Sequence, residues 1–146
     1  MATWQFYNTT PQGILDQSIH LDSLKLMLLN NTASFNATHT TLNQVAGSGH
    51  TKEVAGNGWT VGGEDVTPDY ETYDTNSARI IFDQISVLAA GGDIGPAYAY
   101  VIYDDADTDD RPLGYCDFGG ARTANDGTPF NVDSPSAGMF YIEPAA

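Results

Sequence analysis

The sequence predicts an all-β fold: a single antiparallel β-sandwich, jelly-roll-like, with long loops and little helix. Three observations lead there. Short segments alternate apolar and polar residues at period two, as in Tyr98 to Tyr103, Leu113 to Phe118 and Ala78 to Val87, the pattern of half-buried strands. Fifteen Gly and seven Pro punctuate the chain at near-regular spacing, which suits strands joined by turns. Segments with a helical period are few and short. A length of 146 residues fits one domain with a core that needs no staples. We divide it into residues 1–12, an N-terminal arm or first strand, and residues 13–146, the sandwich.

In chain order, Trp4-Gln5-Phe6-Tyr7 alternates briefly before Asn8-Thr9-Thr10-Pro11 stops it. Ile14 to Leu21 has apolar residues at Ile14, Leu15, Ile19 and Leu21 but is too short to read as a helix. Leu24 to Leu29 (LKLMLL) is the strongest buried strand of the first half. Asn30 to Asn43 is rich in Asn, Thr and Ser and reads as a long loop, with one helical turn at Thr41 to Val45. Gly47 to Gly63 holds six glycines around Trp59. No G-x-x-x-x-G-K-[ST] occurs there, so the glycines read as turns that carry the backbone under Trp59 rather than as a phosphate cradle.

Glu64 to Ser77 is polar and turn-rich, and Ala78 to Val87 puts Ile80 and Phe82 on one face. Tyr98 to Gly120 reads as a hairpin whose connector carries Asp104, Asp105, Asp107, Asp109 and Asp110 before Arg111-Pro112. That many unpaired carboxylates cost more than packing returns, so the connector is expected as an exposed tip. Thr123 to Gly127 is a turn, and Phe130 to Val132 and Met139 to Ile142 close the count of strands. The expected core includes Leu24, Leu26, Leu28, Ile80, Phe82, Val101 and Tyr115, with one face of each strand inward.

Charge narrows the function. Five Lys and Arg stand against 19 Asp and Glu, a net charge of -14. A polyanion repels phosphates, so neither nucleic acid nor an anionic membrane is an expected partner. With 16% charged and 41% hydrophobic residues the chain is a folded domain, not an acidic tail. Cys116 is alone, which excludes an intrachain disulfide and a Cys-based zinc site. The start, MATWQFYNTT, has no basic n-region or apolar h-region, so synthesis in a cytoplasm is expected.

Candidate chemistry is sparse. Asp105, Asp107 and Asp109 have the spacing of the first EF-hand ligands, but position six is Asp110 and position twelve is Cys116, against the Gly and Glu a calcium loop uses. His20, His39 and His50 have no zinc-ligand spacing. Ser48 lies in a turn without a nucleophile elbow, and Cys116 reads as a small buried thiol. We therefore expect no catalytic, cofactor-binding or metal-binding residues and no cofactor. The aromatic segment Trp4, Phe6 and Tyr7 is cut off from the next apolar run by Asn8 to Gln12. Those three residues are the candidate partner-binding group, against the alternative that they cap the domain's own core.

Three segments together carry a resemblance: Asp22-Ser23-Leu24-Lys25-Leu26-Met27-Leu28-Leu29, Gly56-Asn57-Gly58-Trp59-Thr60-Val61-Gly62-Gly63, and the Tyr98 to Gly120 hairpin with its PLGYCDFGG. In this order and spacing, over roughly Leu21 to Ile142, the chain resembles a family of small virion structural proteins of tailed bacteriophages. The resemblance implies a non-enzymatic virion component, foremost a capsid decoration (cement) protein on the outer head surface, with a tail or collar component as its variant. The implied partners are the major capsid protein or another virion protein and further copies of the chain, a trimer being favoured. Two readings from other classes stay open, a carbohydrate-binding β-sandwich module and a hydrolase with an unrecognised site.

Overall fold

The structure, a computed structural model, describes residues 2–145. Eleven strands and two short helices follow one another: β1 (Thr3–Phe6), α1 (Thr10–Leu15), β2 (Leu24–Leu29), α2 (Leu42–Ala46), β3 (Glu53–Val54), β4 (Glu64–Asp65), β5 (Pro68–Asp74), β6 (Ser77–Phe82), β7 (Ile85–Leu88), β8 (Ile94–Asp104), β9 (Pro112–Ala124), β10 (Pro129–Val132) and β11 (Phe140–Ile142). The main sheet has the order β1-β9-β8-β2-β3, with β4 also on β2. A three-stranded sheet, β11-β6-β5, and a two-stranded one, β10-β7, make up the rest. Every pairing is antiparallel. The fold is all-β and sandwich-like.

Why the main sheet sits at the centre is written in β2. Leu24, Leu26 and Leu28 alternate with Lys25, Met27 and Leu29, so both parities are mostly apolar, and a strand apolar on both faces must be covered on both. The even residues join Ile80 and Phe82 of β6, Ile85 of β7, and Phe130 and Val132 of β10 in the larger core, beneath the two small sheets. Met27 and Leu29 join Leu42, Val45 and Ala46 of α2, with Phe35 packed alongside, in a second core on the opposite face. The molecule thus has three layers. All seven expected core residues are buried, but Val101 and Tyr115 belong to the second core.

Local chemistry fixes the outer layer. Helix α2 is only five residues long, yet Thr41 and Gln44 form a full capping box at its start, which satisfies two of its orphan N–H groups. Asn57-Gly58 makes a tight turn with φ of 54° and 112°, and Trp59 behind it is buried edge-on against Phe130, ring centres 5.5 Å apart. A Cβ on Gly58 would lie 2.6 Å from Leu88 O, so the turn requires glycine for space as well as for φ. Strand β9 runs on to Ala124, past the expected end at Phe118, by bulging over Gly119 and Gly120 between its pairings with Ala99 and Ala97. No helix among the described residues is long and apolar enough to cross a membrane.

Candidate functional site

Of the two readings of residues 1–12, the structure has a strand: β1 pairs with β9 from Thr3↔Asp117 to Phe6↔Gly114 and forms an edge of the main sheet. Trp4 lies flat across Gly114, where any Cβ would run into the indole. Its Nε1 donates to Met139 O at 2.9 Å, so the indole ties β1 to the segment that leads into β11. Phe6 reaches the same neighbour, its ring centre 5.8 Å from that of Phe140. Trp4 and Phe6 are half-buried.

Tyr7 corrects the expectation for this group. It is fully buried in the second core, against Phe35 and His39, because β1 ends where the chain turns beneath the loop before α2. A ring with no exposed surface touches no partner. Burial pushes its phenol far above the ordinary tyrosine range, with Tyr115 nearby adding to the rise.

Trp4 is also the wall between two clefts. On one side Tyr100, Cys116, Phe118, Arg122 and the segment from Val132 to Gly138 enclose about 500 Å³. On the other, Phe6 and the segment from Ala137 to Glu143 enclose about 510 Å³. Arg122 stacks on Phe118, 4.6 Å from the ring centre, and donates to Asn131 O at 3.0 Å. Burial raises the Cys116 thiol above its usual range, which opposes a nucleophilic role.

The edges of the two larger sheets differ by charge. In the main sheet β1 carries no charged residue, while the opposite edge, β3 and β4, carries Glu53, Glu64 and Asp65. In the three-stranded sheet β11 carries none, while β5 carries Asp69, Glu71 and Asp74 behind Pro68. The two uncharged edges adjoin through Trp4, Phe6 and Phe140. Beside them Tyr141 and Ile142 of β11 are 46% and 53% exposed, and Tyr141 stacks on Tyr73 at 5.5 Å. Acid and Pro are the usual protection of a sheet edge, and neither strand here carries one, although Glu143 and Pro144 follow β11 directly and Glu143 lines the cleft with Phe6.

The aspartate-rich connector brings a second correction. Asp104 is fully buried, not part of an exposed tip. Its Oδ2 accepts from His20 N–H at 2.9 Å and lies 2.8 Å from His20 Nδ1, and its Oδ1 accepts from Ala106 N–H at 3.0 Å. A carboxylate with its lone pairs taken up this way can be buried. The rest of the connector folds on itself: Asp107 Oδ1 caps Asp109 N–H at 2.9 Å, and Asp110 N–H donates to Asp107 O at 3.0 Å. The first is an Asx-turn bond and the second a backbone turn bond, so the Asp107 carboxylate has a local purpose without a metal. Burial, then Asp105, raises the Asp110 carboxyl. Among the described residues, no three His, Cys, Asp or Glu are grouped to hold a metal ion.

No motif or spacing points to His20 and Asp104 meeting across 84 positions. They form the base and orienter of a catalytic triad in outline, with the His20 ring 49% exposed. No hydroxyl or thiol among the described residues is hydrogen-bonded to the ring's other nitrogen. His39 and His50 lie apart from the pair, and Ser48 opens a 3-10 turn. Comparison with family models, with curated proteins and with solved structures finds no match to this chain.

Proposed function

We propose that this chain is a non-enzymatic assembly protein, a capsid decoration protein of a tailed bacteriophage that binds the outer head shell as an oligomer, with a tail or collar component as the nearest variant. The virion is what the three-segment resemblance implies. The observation that supports an assembly role is the meeting of two uncharged sheet edges, β1 and β11, in a molecule of net charge -14. Such a protein needs one face for contact and a repellent surface elsewhere, so that free copies stay apart until a shell presents many sites at once.

The carbohydrate reading needs an open aromatic platform. Trp4 spends one face on Gly114 and its N–H on Met139, and Tyr73 and Tyr141 stack on each other with Arg79 over Tyr73 at 4.9 Å. Rings so engaged suit a packed protein contact better than a sugar. The hydrolase reading has the His20–Asp104 pair alone, and that pair fastens the base of the connector.

The test is electron cryomicroscopy of the assembled particle, with density for this three-layer fold sought over head, collar and tail. Density on the outer head supports the decoration reading, and density on collar or tail moves the protein to its variant. Particles without it overturn the assembly role.

A further inference from the structure

We infer that the occupant of the corner where β1 and β11 meet is a second copy of this chain, joined by antiparallel pairing of β1 with its counterpart across a two-fold axis. The backbone is ready for it. Tyr7 N–H donates to Leu113 O at 3.5 Å, so with the register Phe6↔Gly114 and Trp4↔Cys116 the antiparallel alternation turns the N–H and C=O of Trp4 and Phe6 away from β9. No backbone bond outside the ladder reaches those four groups among the described residues. They form a short open template, which an identical strand satisfies reciprocally because an antiparallel pair is self-complementary.

Charge argues against a basic partner here. A basic partner would gain most at the acidic edges, β3, β4 and β5. Another chain of charge -14 is repelled there and meets least opposition at this corner. In the main sheet the acidic edge lies four strands from β1, about 19 Å at the usual strand spacing and more than two Debye lengths at physiological salt. The acids near it are few: Asp117 on β9 accepts from Gly119 N–H at 2.8 Å, Glu143 lines the cleft with Phe6, and Asp133 lines the cleft on the other side of Trp4. Phe6, Phe140, Tyr141 and Ile142 flank the paired strands and supply apolar area. Four-residue strands make a small interface, so the pair should be weak in free solution and firm where a shell holds two copies close. A two-fold pair differs from the trimer that the resemblance favours.

The inference rests on the assembly reading for its purpose, but its test is separate. Sedimentation of the full chain from about 10 µM to about 1 mM should show monomer passing to dimer, at the weak end of specific contacts. Added NaCl should strengthen the pair by screening the repulsion. The amides of Trp4 and Phe6 should exchange more slowly with deuterium as concentration rises. Thr3 and Gln5 have exposed side chains on the strand face opposite Trp4 and Phe6, so Thr3→Glu with Gln5→Glu should leave the fold intact. It should weaken pairing by about tenfold or more through like charges brought face to face. Glu substitution of Thr72 on β5 should change nothing. A monomer throughout, a trimer, or a dimer indifferent to the β1 variant overturns the inference. If the variant stays monomeric and still occupies particles as the parent does, edge pairing falls while the assembly role stands. If the dimer forms but no particle contains the protein, the assembly role falls alone.

Discussion

The N-terminal strand and the connector from Asp104 to Arg111 are opposite in composition, one aromatic and uncharged, the other mostly acid. Each nevertheless commits one residue wholly to the interior, Tyr7 and Asp104. They are held there by different means. Tyr7 is secured by ring contacts with Phe35 and His39, and its hydroxyl has no partner among the described residues. Asp104 has every oxygen engaged, by two backbone N–H groups and the His20 ring. Apolar area buries the first and hydrogen-bond stoichiometry the second, so the two sites should fail under different perturbations.

The largest effect should come from emptying the Tyr7 site. Tyr7→Ala removes a fully buried ring and leaves a cavity, at a cost of about 3–5 kcal/mol by analogy with buried Phe or Trp. Phe6→Ala, on the half-buried neighbour, should cost much less. Urea unfolding of both variants checks the pair. Equal losses would mean that Tyr7 is not the anchor of the strand, and deletion of residues 1–7 should unfold the isolated domain for the same reason.

Next is Asp104→Ala. It strands the N–H groups of His20 and Ala106, and charge-assisted bonds of this kind are worth about 1.5–3 kcal/mol each before relaxation and water entry reduce the loss. A net loss of about 3 kcal/mol is expected. Asp104→Asn keeps the shape but offers one acceptor oxygen for the two that are used, so it should fall between the parent and Ala. Thermal unfolding gives the order, and an Ala variant as stable as the parent would reduce the His20 contact to an accident of geometry.

Much of this contrast lies beyond reach of the sequence, for reasons that differ by residue. The hairpin and the strand at Leu24 to Leu29 follow from period-two patterning, and the exposed connector follows for Asp105 and Asp109. Met27 and Leu29 fill the second parity of β2, but alternation by itself predicts one inward face for each strand, so the second core was not foreseen. Thr41-x-x-Gln44 is a readable capping box. Asp104 was not readable, because its burial depends on His20, brought near only by the completed sheet. At Tyr7 the sequence offered two outcomes, core cap or free arm, and loop packing, which no period encodes, decided between them.

A pH titration separates the two sites further. Burial raises the phenols of Tyr7 and Tyr100 well above the unfolded value near 10, and that of Tyr115 to about 12. A phenol whose pKa is raised on folding is favoured in its neutral form. Its stabilisation is therefore complete below pH 10 and is lost as pH climbs toward the folded value. Each of the two fully buried phenols should withdraw about 1.4 kcal/mol per pH unit above 10. Urea midpoints measured from pH 9 to 11 should fall steeply, and Tyr7→Phe should remove about a quarter of the slope, because burial raises Tyr103 and Tyr115 as well. A slope unchanged in that variant would mean that Tyr7 ionises no less readily than an exposed tyrosine.

The smallest effect is expected in the exposed part of the connector. Replacing Asp105, Asp107 and Asp109 together with Asn removes three of the 19 acids, yet none of the three is buried. The bond that matters among them, Asp107 Oδ1 to Asp109 N–H, is one that an Asn side-chain oxygen can also accept. Relief of repulsion around Asp110, whose carboxyl is raised by burial and then by Asp105 and Asp107 among its neighbours, works in the stabilising direction. The two effects should leave stability within about 0.5 kcal/mol of the parent, as for surface changes in general. The same triple change offers a control for Asp104: a connector that tolerates three lost charges and fails at the fourth is held by its one buried carboxylate. If the triple variant melts far below the parent, or if chelator alone destabilises the parent protein, the loop depends on a bound cation. The Asx-turn account of its aspartates would then be wrong.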